Sequence, residues 1–141
     1  PELVTIKYRR ARVYYEYNHF AEAAPLFEDI VKNHTKDDLA IYSANLYFDS
    51  LNVLHKYEDL EMATATYCTY PDLTKDEDFK KQCAIIKNGI RRKKIEGWEA
   101  EGKFRLAADE YLKLVAENPS DPRLDELLAT TATVTGPPID Q

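Results

Sequence analysis

Apolar residues recur along this chain every three to four positions, the spacing of one helical face. Leu3, Ile6, Ala11, Tyr14 and Tyr15 predict a helix from Glu2 to Tyr17, closed by the turn YNHF. Phe20, Ala23, Ala24, Phe27, Ile30 and Val31 form a second stripe that breaks at Asn33 to Lys36, so the two helices fold back as a hairpin. A second pair is predicted from Asp38 to Leu54 and from Tyr57 to Tyr70, joined at His55 and Lys56 and stopped by Pro71.

The next segment, 74-TKDE-77, fits a capping box in which Thr74 caps a helix starting at Lys75 and Glu77 reaches back. Phe79, Cys83, Ile86 and Ile90 carry the stripe, 91-RRKK-94 interrupts it, and Ile95 and Trp98 resume it. Gly89 and Gly97 in this long helix mark a kink or a close neighbour. Gly102 and Lys103 make a turn, Phe104 to Asn118 returns, and a last helix is expected from about Arg123 to Thr133. One all-α helical domain over residues 1–134 is therefore expected, with 135–141 as a linker or disordered tail.

The hairpins repeat. Ala11 and Tyr14 followed by Phe20, Ala23, Phe27 and Ile30, and Gly102 followed by Phe104, Ala107, Tyr111, Leu114 and Pro119, share one pattern. It resembles the tetratricopeptide repeat (TPR), which pairs a small residue and an aromatic in a first helix with A-x3-F and a terminal Pro in a second. The middle hairpin is a degenerate copy, with Phe48 and Leu51, then Tyr57, Leu60, Thr64 and Tyr67. Ala23, Leu60 and Ala107 occupy equivalent places, 37 and 47 positions apart, against about 34 in the family. The resemblance implies a right-handed superhelix of antiparallel hairpins, about three repeats and a capping helix. The bland alternative is an irregular helical bundle.

Composition narrows the function. A formal charge of −6 disfavours nucleic acid as partner, since phosphate neutralisation requires clustered Lys and Arg. No apolar run reaches the roughly 18 residues of a membrane span. The chain opens on Pro1 rather than Met, so the lack of a signal peptide carries no weight on location. His19, His34 and His55 fall at helix ends, beside no Ser or Cys motif, and no Gly-rich phosphate loop exists. No catalytic residue, metal or cofactor is expected. Acid pairs such as Asp37 and Asp38 suit helix starts.

The resemblance implies a scaffold whose first helices line a concave groove that holds a peptide or partner helix and so assembles a protein complex. Its candidate lining is Thr5, Tyr8, Arg12 and Tyr15, then Tyr42, Asn45, Asp49 and Asn52, then Arg92 and Glu96. Tyr supplies rigid contact area and Asn binds a peptide backbone from both sides, although some of the tyrosines would equally pack between hairpins. The subgroup that clamps chaperone C-termini is disfavoured, because Tyr8 and Asp49 stand where a cation and a polar donor belong. The competing structural reading is a self-associating spacer repeat of a larger protein, whose exposed ends stack on further repeats either in the same chain or in another copy, as a homo-oligomer.

Lys87, Arg91 and Lys94 share a helical face, either an acidic-partner site or a solvated face balancing nearby acids. Cys68 and Cys83 either form a disulfide, which would place the chain in a periplasmic or cell-envelope setting, or are two small buried hydrophobes of a cytoplasmic protein. Against the bridge stands the depth of Cys83, about two turns into a helix that starts at Lys75. C-x14-C with no nearby His is a poor zinc site.

Overall fold

A computed structural model describes residues 3–119, and over these the protein is all-α, with no strand. The helices are α1 (Val4–Glu16), α2 (Phe20–Asn33), α3 (Asp38–Val53), α4 (Tyr57–Tyr67), the single turn α5 (Pro71–Thr74), α6 (Glu77–Ala100) and α7 (Phe104–Glu117). The last helix and the tail expected from the sequence lie outside the described residues. The chain divides into two compact units between Ile90 and Arg91, a point inside α6.

The pairs α1/α2, α3/α4 and α6/α7 are joined by one turn used three times. Asn18, His55 and Gly102 each adopt positive φ, at 65°, 58° and 80°. The residue after each, His19, Lys56 or Lys103, is a helix N-cap with nearly the same φ and ψ, (−92°, 65°), (−89°, 68°) and (−86°, 60°). Each of these residues donates its backbone N–H five positions back, to Tyr14, Leu51 or Trp98, at 2.8, 2.9 and 2.8 Å. This is the left-handed ending that satisfies the orphan carbonyls of a helix terminus and reverses the chain at once. Gly102 reaches its φ without steric cost, whereas Asn18 and His55 pay about 1 kcal/mol for a Cβ in that region. The outer hairpins also end alike, with His34 at (−138°, 44°) and Asn118 at (−134°, 55°).

In the first unit α2 packs most extensively on α3, then on α1. Small side chains make this approach possible: Ala23 and Ala24 on α2 and Ala40, Ser43 and Ala44 on α3 are all buried. Phe27, Phe48, Phe79 and Leu73 are almost wholly inaccessible and fill the space between helices. Phe48 of α3 stacks on Phe79 of α6 with ring centroids 6.2 Å apart, and Tyr47 meets Tyr67 edge-on at 6.1 Å. The Tyr67 hydroxyl donates to Glu28 Oε2 at 2.8 Å, so a buried polar group is satisfied across α2 and α4. Lys7 Nζ donates to Asp29 Oδ2 at 3.0 Å, tying α1 to α2 and holding the Asp29 carboxyl below its usual range.

Cys68, which caps the end of α4, and Cys83, in the second turn of α6, are joined by a disulfide across a Cα separation of 6.1 Å. The axial-offset objection fails because α6 starts at Glu77, later than Lys75, and α5 turns the chain beforehand. The expected Thr74 cap is likewise replaced. Asp76 Oδ1 accepts from the Phe79 N–H at 2.9 Å, while Thr74 closes α5. Pro71, read as a stop, instead opens α5 at its first position, where its missing N–H costs nothing. A Cβ added at Gly89 or Gly97 would meet nothing within 4 Å, so neither admits a close neighbour.

In the second unit Ile95, Ala107 and Leu114 are buried between the end of α6 and α7. Arg91 reaches Glu110 at 3.6 Å and Glu117 at 3.0 Å, which makes it a cross-helix brace.

Candidate functional site

Helical periodicity and the repeated turn place α1 and α3 in matching registers, 37 positions apart. Thr5, Tyr8, Arg12 and Tyr15 then correspond to Tyr42, Asn45, Asp49 and Asn52. The two stripes meet directly: the Tyr15 hydroxyl donates to Asp49 Oδ2 at 2.5 Å. That bond, followed by partial burial, pushes the Tyr15 hydroxyl up to about 12. Tyr15 therefore stays a neutral donor across the physiological range.

Arg12 sits half-buried beside Tyr8. Its Nη1 lies 3.2 Å from the Tyr8 hydroxyl and its guanidinium 5.9 Å from the Tyr8 ring centroid, while Nη2 pairs with Glu16 at 2.7 Å. The contacts to Tyr8 first, and to Glu16 second, raise its already high pKa. The rings of Tyr8 and Tyr15 both meet Phe27 edge-on, with centroids 6.1 Å away in each case. These two tyrosines thus serve packing with their rings and the surface with their hydroxyls. Tyr42 is exposed and Asn52 lies on the surface as the last residue but one of α3.

Beside this stripe α3 and the α5–α6 junction enclose a surface cavity of about 610 Å³, lined by Asp38, Tyr42, Asn45, Asp76, Asp78 and Gln82 and floored by Phe79 and Ile41. Asn45 Oδ1 is buried without a hydrogen-bond partner, as is Arg12 Nε. Asp76, Asp78 and Gln82 were not among the residues expected from sequence. The TKDE segment reads as a helix start and nothing in its spacing tells that it faces Tyr42 and Asn45.

The structure thus brings Tyr8, Arg12 and Tyr15 together with Asp49, and Tyr42 with Asn45 at the cavity. Arg92 belongs to the second unit, where it pairs with Glu96 at 3.9 Å. Among the described residues no group of three or more His, Cys, Asp or Glu could hold a metal ion, and no helix is long and apolar enough to cross a membrane. Comparison with family models, with curated proteins and with solved structures finds no match.

Proposed function

We propose that this protein is a tetratricopeptide-like interaction scaffold, its hairpins wound as a solenoid, that holds an extended peptide or partner helix along the α1–α3 face and so assembles a protein complex. One observation carries the reading: the Tyr8–Arg12–Tyr15–Asp49 stripe continues past Tyr42 into a cavity lined by Asn45, Asp76, Asp78 and Gln82. Asn45, Asp76, Asp78 and Gln82 offer polar side chains to a peptide backbone laid across that cavity. Its partner is a protein, with no nucleic acid and no catalysis involved. The disulfide favours an oxidising compartment, such as a periplasm or cell envelope.

Peptides selected from a random display library on the oxidised chain test this. They are expected to lose about tenfold in affinity on Asn45→Ala with Asn52→Ala, a loss of one to two hydrogen bonds, while circular dichroism stays unchanged. Selected peptides that bind the folded double variant equally well would sink the groove assignment and leave the self-associating spacer as the better reading.

A further inference from the structure

The cavity beside α3 has two walls that are held in different ways. Asp38, Ile41, Tyr42 and Asn45 follow the spacing of one face of α3, and α3 is packed by α2, α4 and α1. The opposite wall is Asp76, which caps α6, with Asp78, Phe79 and Gln82 of α6 itself. Asp78 and Gln82 stand one position before Phe79 and Cys83, the residues that fasten the start of α6 to the core. Phe79 stacks on Phe48, and Cys83 is bridged to Cys68 at the end of α4. Phe79 and Cys83 are one turn apart and both buried, so a shift of that stripe carries Asp78 and Gln82 with it. Every residue of this wall lies between the two cysteines.

The two sulfurs are unequally placed. Cys83 is buried, whereas Cys68 is partly exposed. A thiolate arriving from solvent therefore meets Cys68 Sγ. The Sγ–Sγ bond breaks as a sulfur–sulfur bond forms between the reductant and Cys68, and Cys83 leaves as a thiolate that takes a proton from water. The second thiol of a dithiol reductant then displaces Cys68, so the reductant is oxidised to a disulfide and the chain gains two thiols. The core residues Ala24, Phe27, Ala40 and Ala44 belong to α2 and α3, outside the segment between the cysteines, so opening acts on the wall and leaves that packing in place.

We infer that the Cys68–Cys83 bridge is a redox latch on this cavity: closed, it fixes the α6 wall for a bound peptide, and opened by a dithiol reductant, it frees residues 69–82 and weakens the binding. The inference rests on the groove reading and adds its regulation. Binding and bridge are linked, because a peptide that prefers the closed form by some factor makes the bridge harder to reduce by the same factor.

The probe is a fluorescein-labelled peptide from the display selection, one that loses affinity on Asn45→Ala with Asn52→Ala. Its anisotropy is titrated with the full chain, oxidised or treated with dithiothreitol without denaturant, while alkylation and mass count the thiols and circular dichroism follows the helices. Both cysteines should become labelled with helix content retained, and affinity should fall about tenfold, the effect of releasing one or two ordered side chains. Cys68→Ser with Cys83→Ser should bind as weakly as the reduced chain and ignore dithiothreitol. Saturating peptide should shift the equilibrium in mixtures of reduced and oxidised dithiothreitol toward the bridge by the same factor. Equal affinity of the two redox forms overturns the latch and leaves the groove standing. A bridge that opens only in urea, or whose opening unfolds the helices, also overturns it, since the bridge is then purely structural, and this readout needs no peptide. A selection that yields no peptide sensitive to the Asn45 and Asn52 changes removes the groove, and the latch with it.

Discussion

Helices α2 and α7 have the same length, the same entry turn and the same closing geometry, yet they differ in what they bury. In α2, Ala23, Ala24, Phe27, Ile30 and Val31 are inaccessible, whereas in α7 only Ala107 and Leu114 are, and Phe104, Leu106 and Leu112 stand exposed. Both carry a small residue followed four positions later by an aromatic. The motif therefore builds the hairpin, while burial of its second face depends on what packs beyond it. In α2 that neighbour is α3.

The sharpest way to break this comparison is to cut the same aromatic from each helix. Phe27→Ala removes a wholly buried ring and should cost about 3–5 kcal/mol, whereas Tyr111→Ala, at a half-buried site, should cost clearly less. Urea unfolding of the two variants measures the difference, and equal losses would mean that the two helices are packed alike.

Next in size is the bridge. Closing a loop between residues separated by 15 positions limits the unfolded chain and stabilises by about 3 kcal/mol. Reduction, or Cys68→Ser with Cys83→Ser, should lower the unfolding free energy from urea titration by that amount. Hydrogen exchange should show the loosening in α4 and the first half of α6, and leave the Arg91 braces to Glu110 and Glu117 protected as before.

The smallest effect is confined to alkaline pH. Tyr47 and Tyr67 are held neutral in the fold, by burial first and by their contacts with Glu28 second, so their pKa values lie above the ordinary value. In the unfolded chain these hydroxyls ionise near pH 10. The folded state then keeps protons that the unfolded state releases, and stability falls as pH rises from about 10 toward the raised values. Tyr67→Phe should flatten that decline without steepening it elsewhere. An unchanged slope would assign the alkaline loss to other groups.

The hairpins were legible because period and turn chemistry agree. Asn18 and Gly102 are residues that accept positive φ, and they sit where the apolar stripe changes face. His55 adopts the same φ without that signature, and only the register with Leu60 reveals it. The segment 71–77 misled because its local signals were all real: Thr74 and Glu77 do fit a capping box. Burial of Leu73 outweighs it, forming α5 and passing the cap to Asp76. The polar and aromatic residues of α1 and α3 were legible as a stripe, but spacing could not separate ring from hydroxyl at Tyr8 and Tyr15. The cavity wall of Asp76, Asp78 and Gln82 exists only once α6 is placed beside α3.

The Cys68–Cys83 bridge also changes what chain continuity means. The backbone from one cysteine to the other, with the sulfurs between them, is a closed ring that contains α5 and the start of α6. A single cut anywhere from residue 69 to 82 opens this ring without dividing the molecule, because everything before Cys68 and everything after Cys83 stays covalently attached. The stretch between Cys68 and Cys83 is thus the one part of the described chain where peptide-bond integrity and molecular integrity are separate matters.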